Sequence, residues 1–546
     1  MNRFINIRKI LGLRKLTIIK YCFSLIITSL SLITTGNFYY LLFSLLELII
    51  IFSLSNMILK RNTIAGNIFN YIFLLIYNVE LLVLMFGNSF VTLIMINNLS
   101  SWEALKGRMV VYLLGFGLLI LFSFLPVIYI EPNNTKFNRA KNPNIRYFNL
   151  KLVIATLLME TILLFSVGYN YSPAYATYDL TENYYKYNQL VQSNSSKSIK
   201  SEEFHKDEVK SYVEKPKNLP ESPNIILIFV EGMSQHIIDD ERNIAPNIRE
   251  VQSKSLNFKN YYNHTFATYA GLIGQLYSGY QLQNNDKNYL ISLPQVLSAY
   301  GYQTSFINTE PKNKEFTTYL NNLGFDKVIP GPVTKSLDVT SDKDAYKKLL
   351  SEIDKKNQSP FFISMYTFGT HIGMDGYDRK FGDGSDRLLS RFHDMDYQFG
   401  KFIEEFNNSS LADNTILVFT TDHATFVDDE YRKSFPKNDR VQGNLDKVPF
   451  FIYYKGIEAQ TVDVEGRNSL GLTPTVLDYL DVSTGNYFLG ESLFSKNDKN
   501  DPYSHLFVSE LTYRLTHDSS ISFVPDKEKA KIEEKISEYY SIARNK

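Results

Sequence analysis

Hydrophobic positions along the chain form two contrasting patterns that meet near residue 167. Before that point, apolar residues fill long stretches with few charges; after it, shorter apolar runs alternate with polar segments. Five N-terminal stretches approach the roughly 20 residues that a membrane-spanning helix needs: 16–34, 39–59, 64–86, 109–130 and 149–167. The pattern predicts a bundle of about five transmembrane helices at residues 1–167, followed by a water-soluble part.

Basic residues predict the orientation of this bundle. They cluster before the first stretch, after the second, and between the fourth and fifth, so five crossings place all three clusters on one side. Loops rich in Lys and Arg stay in the cytoplasm. The first stretch has no small-residue pattern of the kind that marks signal-peptide cleavage, so we interpret it as the first span. We therefore expect a multi-pass protein of a bacterial cell membrane, with everything after residue 167 extracytoplasmic.

The soluble part divides further by composition. Residues 168–220 are rich in Tyr, Asn, Ser, Lys and Glu without a sustained apolar period, which is typical of a juxtamembrane linker with some helix. Residues 526–546 are dominated by Lys and Glu and predict a charged C-terminal helix or tail. Between them, residues 221–525 have the composition of a globular domain.

Within 221–525, strand-like and helix-like segments alternate. Residues 224–230 are continuously apolar and branched, which predicts a strand buried on both faces. Further strands are predicted at 304–308, 361–368, 415–420 and 448–454, and helices at 292–300, 343–356, 388–406 and 470–480. The sequence therefore predicts an α/β fold with a mostly parallel sheet between helices.

Polar residues follow three of these strands directly. Glu231 follows the first, His371 comes shortly after the strand at 361–368, and Asp422 with His423 follows the strand at 415–420. Ligands of open α/β sheets bind at the carboxyl ends of the strands, so these residues should meet at one edge. Two carboxylates and an imidazole suit a divalent cation such as manganese, magnesium or zinc.

A hydroxyl nucleophile is expected in the polar segment 263–271, which leads into a helix-like stretch. Hydroxyls and free amides at a helix start favour phosphate. Thr268 is preferred to Thr265 because it lies nearer the helix start, although a threonine that only caps the helix is the plain alternative. His371 can bind the phosphate or protonate a leaving alkoxide, and His264 is a second candidate for substrate binding.

Charge and cysteine content exclude several classes. The formal net charge is zero and no basic stripe is present, which argues against a nucleic-acid partner. The single cysteine, Cys22, lies in the first apolar stretch, so the soluble part has no cysteine nucleophile and no disulfide within the chain.

Taken together, these motifs resemble the alkaline phosphatase and sulfatase superfamily, and within it the lipoteichoic acid synthase-like phosphoglycerol transferases. The resemblance rests on the spans, the segment 224–231, Thr370-His371, and the segment ending in Asp422-His423. It implies that one divalent metal, manganese in the synthases, binds Glu231, Thr268, Asp422 and His423.

The same resemblance implies an activity. Thr268 would attack a phospholipid phosphodiester, hold the head-group phosphate covalently, and pass it to a cell-surface glycan or a polyglycerol-phosphate acceptor of the teichoic acid type. His371 matches the histidine that binds the substrate phosphate.

One segment departs from the synthases. They hold the glycerol phosphate with a tryptophan and an arginine that segment 308–316 lacks; the only tryptophan is Trp102. A phosphoethanolamine transferase, which uses zinc, and a phosphodiester hydrolase therefore stay open. From a different class, a catalytically inactive, membrane-tethered binding module is the further alternative.

Overall fold

The chain forms two compact units in the computed structural model, one ending at Lys186 and the other beginning at Tyr187. The structure describes residues 2–87, 89–97, 109–130, 148–193, 203–280, 290–333, 338–355, 360–438, 440, 444–498, 501–509, 512–517 and 520–544. Each unit has its own fold.

The N-terminal unit is helical. Its described helices are α1 (Asn2–Thr35), α2 (Phe38–Arg61), α3 (Thr63–Gly87), α4 (Leu93–Asn97), α5 (Met109–Ser123), α6 (Phe148–Val167) and α7 (Pro173–Ser193), the last of which runs into the second unit. Among the described residues, four helical segments are long and apolar enough to cross a membrane: Leu13–Thr35, Phe38–Arg61, Thr63–Phe86 and Phe148–Val167. Four of the five predicted spans are thus long apolar helices.

The fourth predicted span, 109–130, is helical only over residues Met109–Ser123. Pro126 lies just beyond α5, and proline disfavours helical geometry at the residue before it. The chain then runs without regular structure, and its backbone groups bond to side chains of other helices. Asn67 accepts a hydrogen bond from the amide of Val127 at 3.0 Å, and Asn56 bonds both the amide and the carbonyl of Ile130 at 2.7 Å. Such compensation is what non-helical backbone needs in an apolar layer.

Helix α7 occupies part of the predicted linker. Its start is bound within the N-terminal unit by a buried carboxylate, because Glu47 accepts hydrogen bonds from the Ser172 hydroxyl at 2.6 Å and the Ala174 amide at 3.0 Å. The beginning of the expected linker is therefore an ordered helix.

The second unit is built on an eight-stranded sheet with the order β4-β3-β5-β1-β6-β7-β2-β8. All pairings are parallel except those of β7, so the predicted mostly parallel α/β sheet is confirmed. The strands are β1 (Asn224–Val230), β2 (Leu256–Lys259), β3 (Gln303–Asn308), β4 (Lys327–Pro330), β5 (Phe361–Tyr366), β6 (Thr415–Thr421), β7 (Phe451–Tyr453) and β8 (Gln460–Asp463). A separate three-stranded antiparallel sheet contains β9 (Leu506–Ser509), β10 (Thr512–His517) and β11 (Ser520–Phe523).

Helices cover both faces of the large sheet. They are α8 (Gln235–Asp239), α9 (Pro246–Ser253), α10 (Thr268–Tyr277), α11 (Leu293–Ala299), α12 (Lys314–Asn321), α13 (Asp342–Asp354), α14 (Arg387–Asn408), α15 (Asp429–Ser434), α16 (Leu472–Tyr479) and α17 (Asp526–Arg544). Strand β1 sends Ile225 and Leu227 into one hydrophobic core and Ile226 and Ile228 into the other. It is therefore buried on both faces, as its continuous apolar pattern predicts.

The C-terminal helix α17 belongs to the packed unit. It contributes Ile536 and Tyr539, both fully buried, to the core that also contains Tyr277 of α10. The Lys/Glu-rich pattern of the last residues therefore describes only one face of this helix.

Candidate active site

Two neighbouring strands place the acidic residues of the site. Val230 at the end of β1 pairs with Thr421 at the end of β6, so the next residues of the two strands, Glu231 and Asp422, emerge side by side. His423 follows, with its Nε2 atom 3.4 Å from Oδ2 of Asp422 and 3.6 Å from Oε1 of Glu231. In the described part of the chain, these three residues form the group whose ligand atoms lie within 4.8 Å of one another.

The three side chains perturb one another's pKa values. Burial and repulsion from Glu231 raise the pKa of Asp422 to about 7. Burial would lower the pKa of His423, but the two carboxylates outweigh it and raise that pKa. For Glu231, burial raises the pKa, while His423, His371 and Tyr366 act against it, and the result is a lowered pKa.

The donor set fits a divalent metal ion. Oδ1 of Asp422 accepts the amides of Gly232 and His423, each at 2.8 Å, whereas its Oδ2 is buried without a hydrogen-bond partner. His423 Nδ1 lies 2.8 Å from the carbonyl of Ala424 and must donate to it, which leaves the lone pair of a neutral ring on Nε2, toward the carboxylates. A cation would satisfy both atoms.

Thr268 brings a hydroxyl to the same place. It is the first residue of α10, and its Oγ1 donates a hydrogen bond to Oε2 of Glu231 at 3.3 Å. The preceding Ala267 has φ 79° and ψ 144°, a backbone conformation that costs an L-residue on the order of 1–3 kcal/mol. Ala267 is the N-cap and offers no capping side chain, so Thr268 does not serve as the cap.

Close packing fixes α10 against the backbone that follows β6. A Cβ atom on Gly271 would lie 2.2 Å from the carbonyl oxygen of Asp422, so glycine is needed at this position. One turn later, Gln275 donates from Nε2 to the carbonyl of Thr421 at 2.8 Å. The helix that begins with Thr268 and the Glu231, Asp422 and His423 group are therefore held in one arrangement.

Two residues near the end of β5 complete the surroundings of Glu231. The hydroxyl of Tyr366 donates to Oε2 of Glu231, and the hydroxyl of Thr370 donates to the backbone carbonyl of Glu231 at 2.6 Å. Burial raises the pKa of Tyr366 well above its ordinary value, which keeps it a donor. Sequence reasoning missed Tyr366; its only signal is a tyrosine near the end of a buried apolar run, where it forms the last residue of β5.

His371 lies beside this cluster on the turn after β5. Its ring stacks on that of Phe368, with 4.6 Å between centroids and 9° between planes, and its charge acts on Glu231. The side chain is half-buried and accessible to a substrate. The structure therefore brings the predicted phosphate-binding histidine near the predicted metal ligands.

His264, the second histidine predicted to bind substrate, lies elsewhere in the core. It is 1% exposed, its Nδ1 atom is 2.6 Å from the Ser469 hydroxyl, and Gly274 leaves the space that its ring fills. Burial lowers the pKa of His264 to about 3, so the ring is neutral. The structure gives His264 a packing role and does not bring it into the three-residue group.

A buried arginine, Arg440, supports the loop after β6 and was also missed by sequence reasoning. Its guanidinium donates to the carbonyl of Thr425, two residues beyond His423, and its Nε atom lies 3.4 Å from Oδ2 of Asp446. Asp446 also bonds Nδ1 of His236 at 3.1 Å. This network places a positive charge near Asp422 and His423.

The segment that departs from the synthase pattern follows β3. Glu310 is 7% exposed, and its Oε2 accepts a hydrogen bond from Asn313 at 3.2 Å. The charge of Glu310 acts on Tyr366, which also contacts Glu231. A buried carboxylate therefore lies on the segment that lacks the tryptophan and the arginine of the synthases.

Comparison with known proteins agrees with this geometry. Residues 223–482 match the sulfatase family model. No curated protein sequence matches the chain. A solved structure of a protein in the alkaline phosphatase superfamily from Vibrio parahaemolyticus is similar, with a TM-score of 0.52 and 17% identity over 66% of this chain and 97% of that one.

A lipoteichoic acid synthase from Listeria monocytogenes, LtaP, is also similar, with 17% identity over 64% of this chain and 97% of that one. Its TM-score is 0.45, so the fold assignment rests on the other structure and the family match. Residues 223–482 thus match the sulfatase family model, and the second unit has a fold similar to that of the Vibrio parahaemolyticus protein of the alkaline phosphatase superfamily.

Proposed function

We propose that this protein transfers a phosphate-linked head group, phosphoglycerol foremost, from a membrane phospholipid to a cell-surface glycan or teichoic-acid-type acceptor. The transfer proceeds through a phosphothreonine intermediate at Thr268. The observation that carries the proposal is the hydrogen bond from the Thr268 hydroxyl to Glu231, within a buried Glu, Asp and His donor set.

The choice of phosphate over sulfate rests on the nucleophile. A sulfatase needs a cysteine or serine that is converted to formylglycine, whereas the residue at the start of α10 is a threonine and the single cysteine is Cys22. Threonine can form a phosphate ester directly. The long apolar helices of the same chain support a membrane phospholipid as the donor.

The first half-reaction exchanges one phosphoester bond for another. The Thr268 oxygen attacks the phosphorus of the phosphodiester, the bond to the diacylglycerol oxygen breaks, and diacylglycerol leaves with a proton. Glu231, which accepts the Thr268 hydroxyl hydrogen bond, is placed to receive the proton of the nucleophile. His371, on the accessible side, binds the phosphate and protonates the leaving oxygen.

The second half-reaction reverses these roles. An acceptor hydroxyl attacks the phosphorus, the bond to Thr268 breaks, and the threonine recovers its proton. The first-turn amides of α10 lack helical partners and favour the negative charge of the phosphate in both steps. Because each step is an in-line displacement at phosphorus, one site serves both.

Glu231, Thr268, Asp422 and His423 would hold one divalent ion, manganese foremost, with magnesium or zinc as alternatives. Such an ion supplies charge neutralisation at phosphate oxygens and lowers the pKa of a bound hydroxyl. The unpartnered Oδ2 of Asp422 and the orientation of His423 Nε2 support this assignment.

The site is proposed to face the outside of a bacterial cell. The basic clusters place residues after 167 outside if the segment from α5 to Ile130 crosses the membrane as the fourth of five spans. Cys22 is the single cysteine, so a Cys22→Ser background with a new cysteine at the exposed Ser385 tests this directly. Labelling of intact cells by an impermeant maleimide is expected; labelling only after lysis contradicts the orientation.

Intact-mass spectrometry tests the chemistry. The full-length enzyme is incubated with manganese and either phosphatidylglycerol or phosphatidylethanolamine, and diacylglycerol release is followed in parallel. A covalent adduct is expected on the wild type and on a Thr265→Ala control, and none on Thr268→Ala. The mass of the adduct identifies the head group, so phosphoethanolamine in place of phosphoglycerol would correct the donor.

Other outcomes count against the proposal in different ways. Release of diacylglycerol that persists in Thr268→Ala would overturn the threonine nucleophile. Release without transfer to a glycan or glycerol-phosphate acceptor would indicate a phosphodiester hydrolase. An absence of both metal binding and turnover would favour the inactive binding module.

A further inference from the structure

One buried carboxylate outside the site holds the turn that carries His371. Asp342, the first residue of α13, accepts hydrogen bonds at the same oxygen, Oδ1, from the amides of Phe368 at 3.0 Å and Gly369 at 2.8 Å. Asp342 is 5% exposed. These two amides lie in a loop, so the aspartate supplies the acceptors that regular structure would otherwise provide.

The turn and the carboxylate fit each other closely. A Cβ atom on Gly369 would lie 2.2 Å from Oδ2 and 2.7 Å from Cγ of Asp342. Because Gly369 has no side chain, the backbone of the turn can lie directly against the carboxylate of Asp342. This contact fixes the path of the backbone just before His371.

From this turn, two contacts lead into the site. The ring of Phe368 stacks on that of His371 at 4.6 Å, and the hydroxyl of Thr370 donates to the backbone carbonyl of Glu231 at 2.6 Å. Both depend on the backbone that Asp342 holds. A displacement of the turn would move the imidazole relative to the proposed metal ligands.

We propose that Asp342 is a positioning residue for substrate binding: through the amides of Phe368 and Gly369 it places His371 against the phosphate of the donor. This inference rests on the proposed function for its reaction but not for its geometry. The role requires an acceptor atom at Oδ1 and no negative charge. An asparagine should therefore replace Asp342 in this role, and an alanine should not.

A purely structural role is the competing explanation, and the chain contains a matched example of one. Asp396 is also fully buried, and it also accepts two backbone amides, those of Asn247 at 3.1 Å and Ile248 at 2.8 Å. Burial raises the pKa of both aspartates to about 6. Asp396, however, holds the start of helix α9, whereas Asp342 holds the turn that carries His371.

The test compares Asp342→Ala, Asp342→Asn and Asp396→Ala in the full-length protein loaded with manganese. The first readout needs no turnover: the rate at which diethyl pyrocarbonate modifies His371, mapped by peptide mass. We expect Asp342→Ala to change that rate several-fold because the stacking on Phe368 is loosened. Asp342→Asn and Asp396→Ala should match the wild type, and an unchanged rate in Asp342→Ala overturns the inference.

The second readout is kinetic and uses the phospholipid that gives Thr268-dependent turnover. Asp342→Ala should lower kcat/KM by roughly 10- to 100-fold, as misplacement of a catalytic group does, with manganese affinity unchanged. In a His371→Ala background the same change should have little further effect, because Asp342 acts through His371. Additive losses, or an equal loss in Asp396→Ala, would reduce Asp342 to a structural residue.

The two proposals fail separately. If the wild type shows no Thr268-dependent turnover, the proposed function fails while the modification rate of His371 still decides the role of Asp342. If turnover is Thr268-dependent and Asp342→Ala changes neither kcat/KM nor the modification rate, the role of Asp342 fails alone.

Discussion

The two sides of the candidate active site are held by the fold in different ways. On the metal side, Glu231 and Asp422 directly follow β1 and β6, which are paired along their whole length. On the head-group side, Glu310 and His371 lie on the segments that follow β3 and β5, at least two residues beyond the strand ends. The metal side depends on the central sheet, whereas the head-group side depends on contacts between loops.

This difference separates chemistry from specificity. Residues at the ends of central strands cannot move without disturbing the sheet, so they suit a task that needs fixed geometry. Loop residues can change with little effect on the fold and suit recognition of variable groups. We therefore expect substitutions on the metal side to abolish activity and substitution of Glu310 on the head-group side to change which substrate is used.

The largest effect is expected for Asp422→Asn. The substitution removes the negative charge from a buried ligand, so manganese binding measured by calorimetry should be lost and turnover should fall on the order of 1000-fold or more. Because burial and Glu231 raise the pKa of Asp422 to about 7, the apo protein should fold at least as well after the change. The control is Asp428→Asn, which keeps the acceptor that caps α15 at the amide of Tyr431. Equal metal affinity in wild type and Asp422→Asn would remove Asp422 from the ligand set.

Next in size is Gly271→Ala, which tests how rigidly α10 is fixed to the metal side. The new methyl group would lie 2.2 Å from the carbonyl oxygen of Asp422, and overpacking of this kind costs about 1–3 kcal/mol. We expect a lower thermal midpoint together with a loss of turnover. Gly376→Ala is the matched control, since a Cβ atom there meets nothing within 4 Å. A Gly271→Ala protein with wild-type stability and turnover would mean that α10 is free to shift.

The fold was predictable where the chain repeats a simple pattern. The continuous apolar run of β1 specifies a strand buried on both faces, and polar residues directly after β1 and β6 indicate the edge where a site forms. The long apolar helices follow from length and composition, except where α5 ends shortly before Pro126.

Other features could not be predicted because they depend on contacts between distant segments. Asp342 accepts hydrogen bonds from amides 26 and 27 residues away. Tyr366, on β5, donates to Glu231, which follows the neighbouring strand β1. His264 follows the polar pattern of a site residue, yet its ring fills the space left by Gly274. The packing of α17 into the core likewise requires Tyr539 to meet Gly279, which no local pattern reveals.

A smaller effect, on stability alone, is expected for Asp342→Asn. Burial raises the pKa of Asp342 from 3.8 to about 6, so its ionised form is disfavoured in the folded state. The contribution of the protonated Asp342 side chain to the free energy of unfolding is therefore fully present below about pH 4 and is lost as the pH rises through about 6. Asparagine removes a penalty of up to about 3 kcal/mol at pH 8, and thermal unfolding should show a gain at pH 8 that disappears at pH 4. An equal gain in thermal stability at pH 4 and pH 8 would contradict the prediction that the gain comes from removing an ionised carboxylate.

The smallest effect is expected for Glu310→Gln, which examines the head-group side alone. The buried carboxylate of Glu310 acts on Tyr366 and bonds Asn313, and glutamine preserves its size while removing its charge. A carboxylate attracts the ammonium of ethanolamine more strongly than the neutral hydroxyls of glycerol, so the change should lower kcat/KM more for phosphatidylethanolamine than for phosphatidylglycerol. Loss of one buried hydrogen bond to a charged group should change the ratio of the two kcat/KM values by about 10-fold.

Manganese affinity separates this prediction from damage to the metal side. It should stay at the wild-type value in Glu310→Gln, because Glu310 is outside the donor set of Glu231, Asp422 and His423. If the substitution lowers turnover of both lipids equally and weakens manganese binding as well, Glu310 acts through Tyr366 on Glu231. The two sides would then form one electrostatic unit, and head-group choice could not change independently of the metal centre.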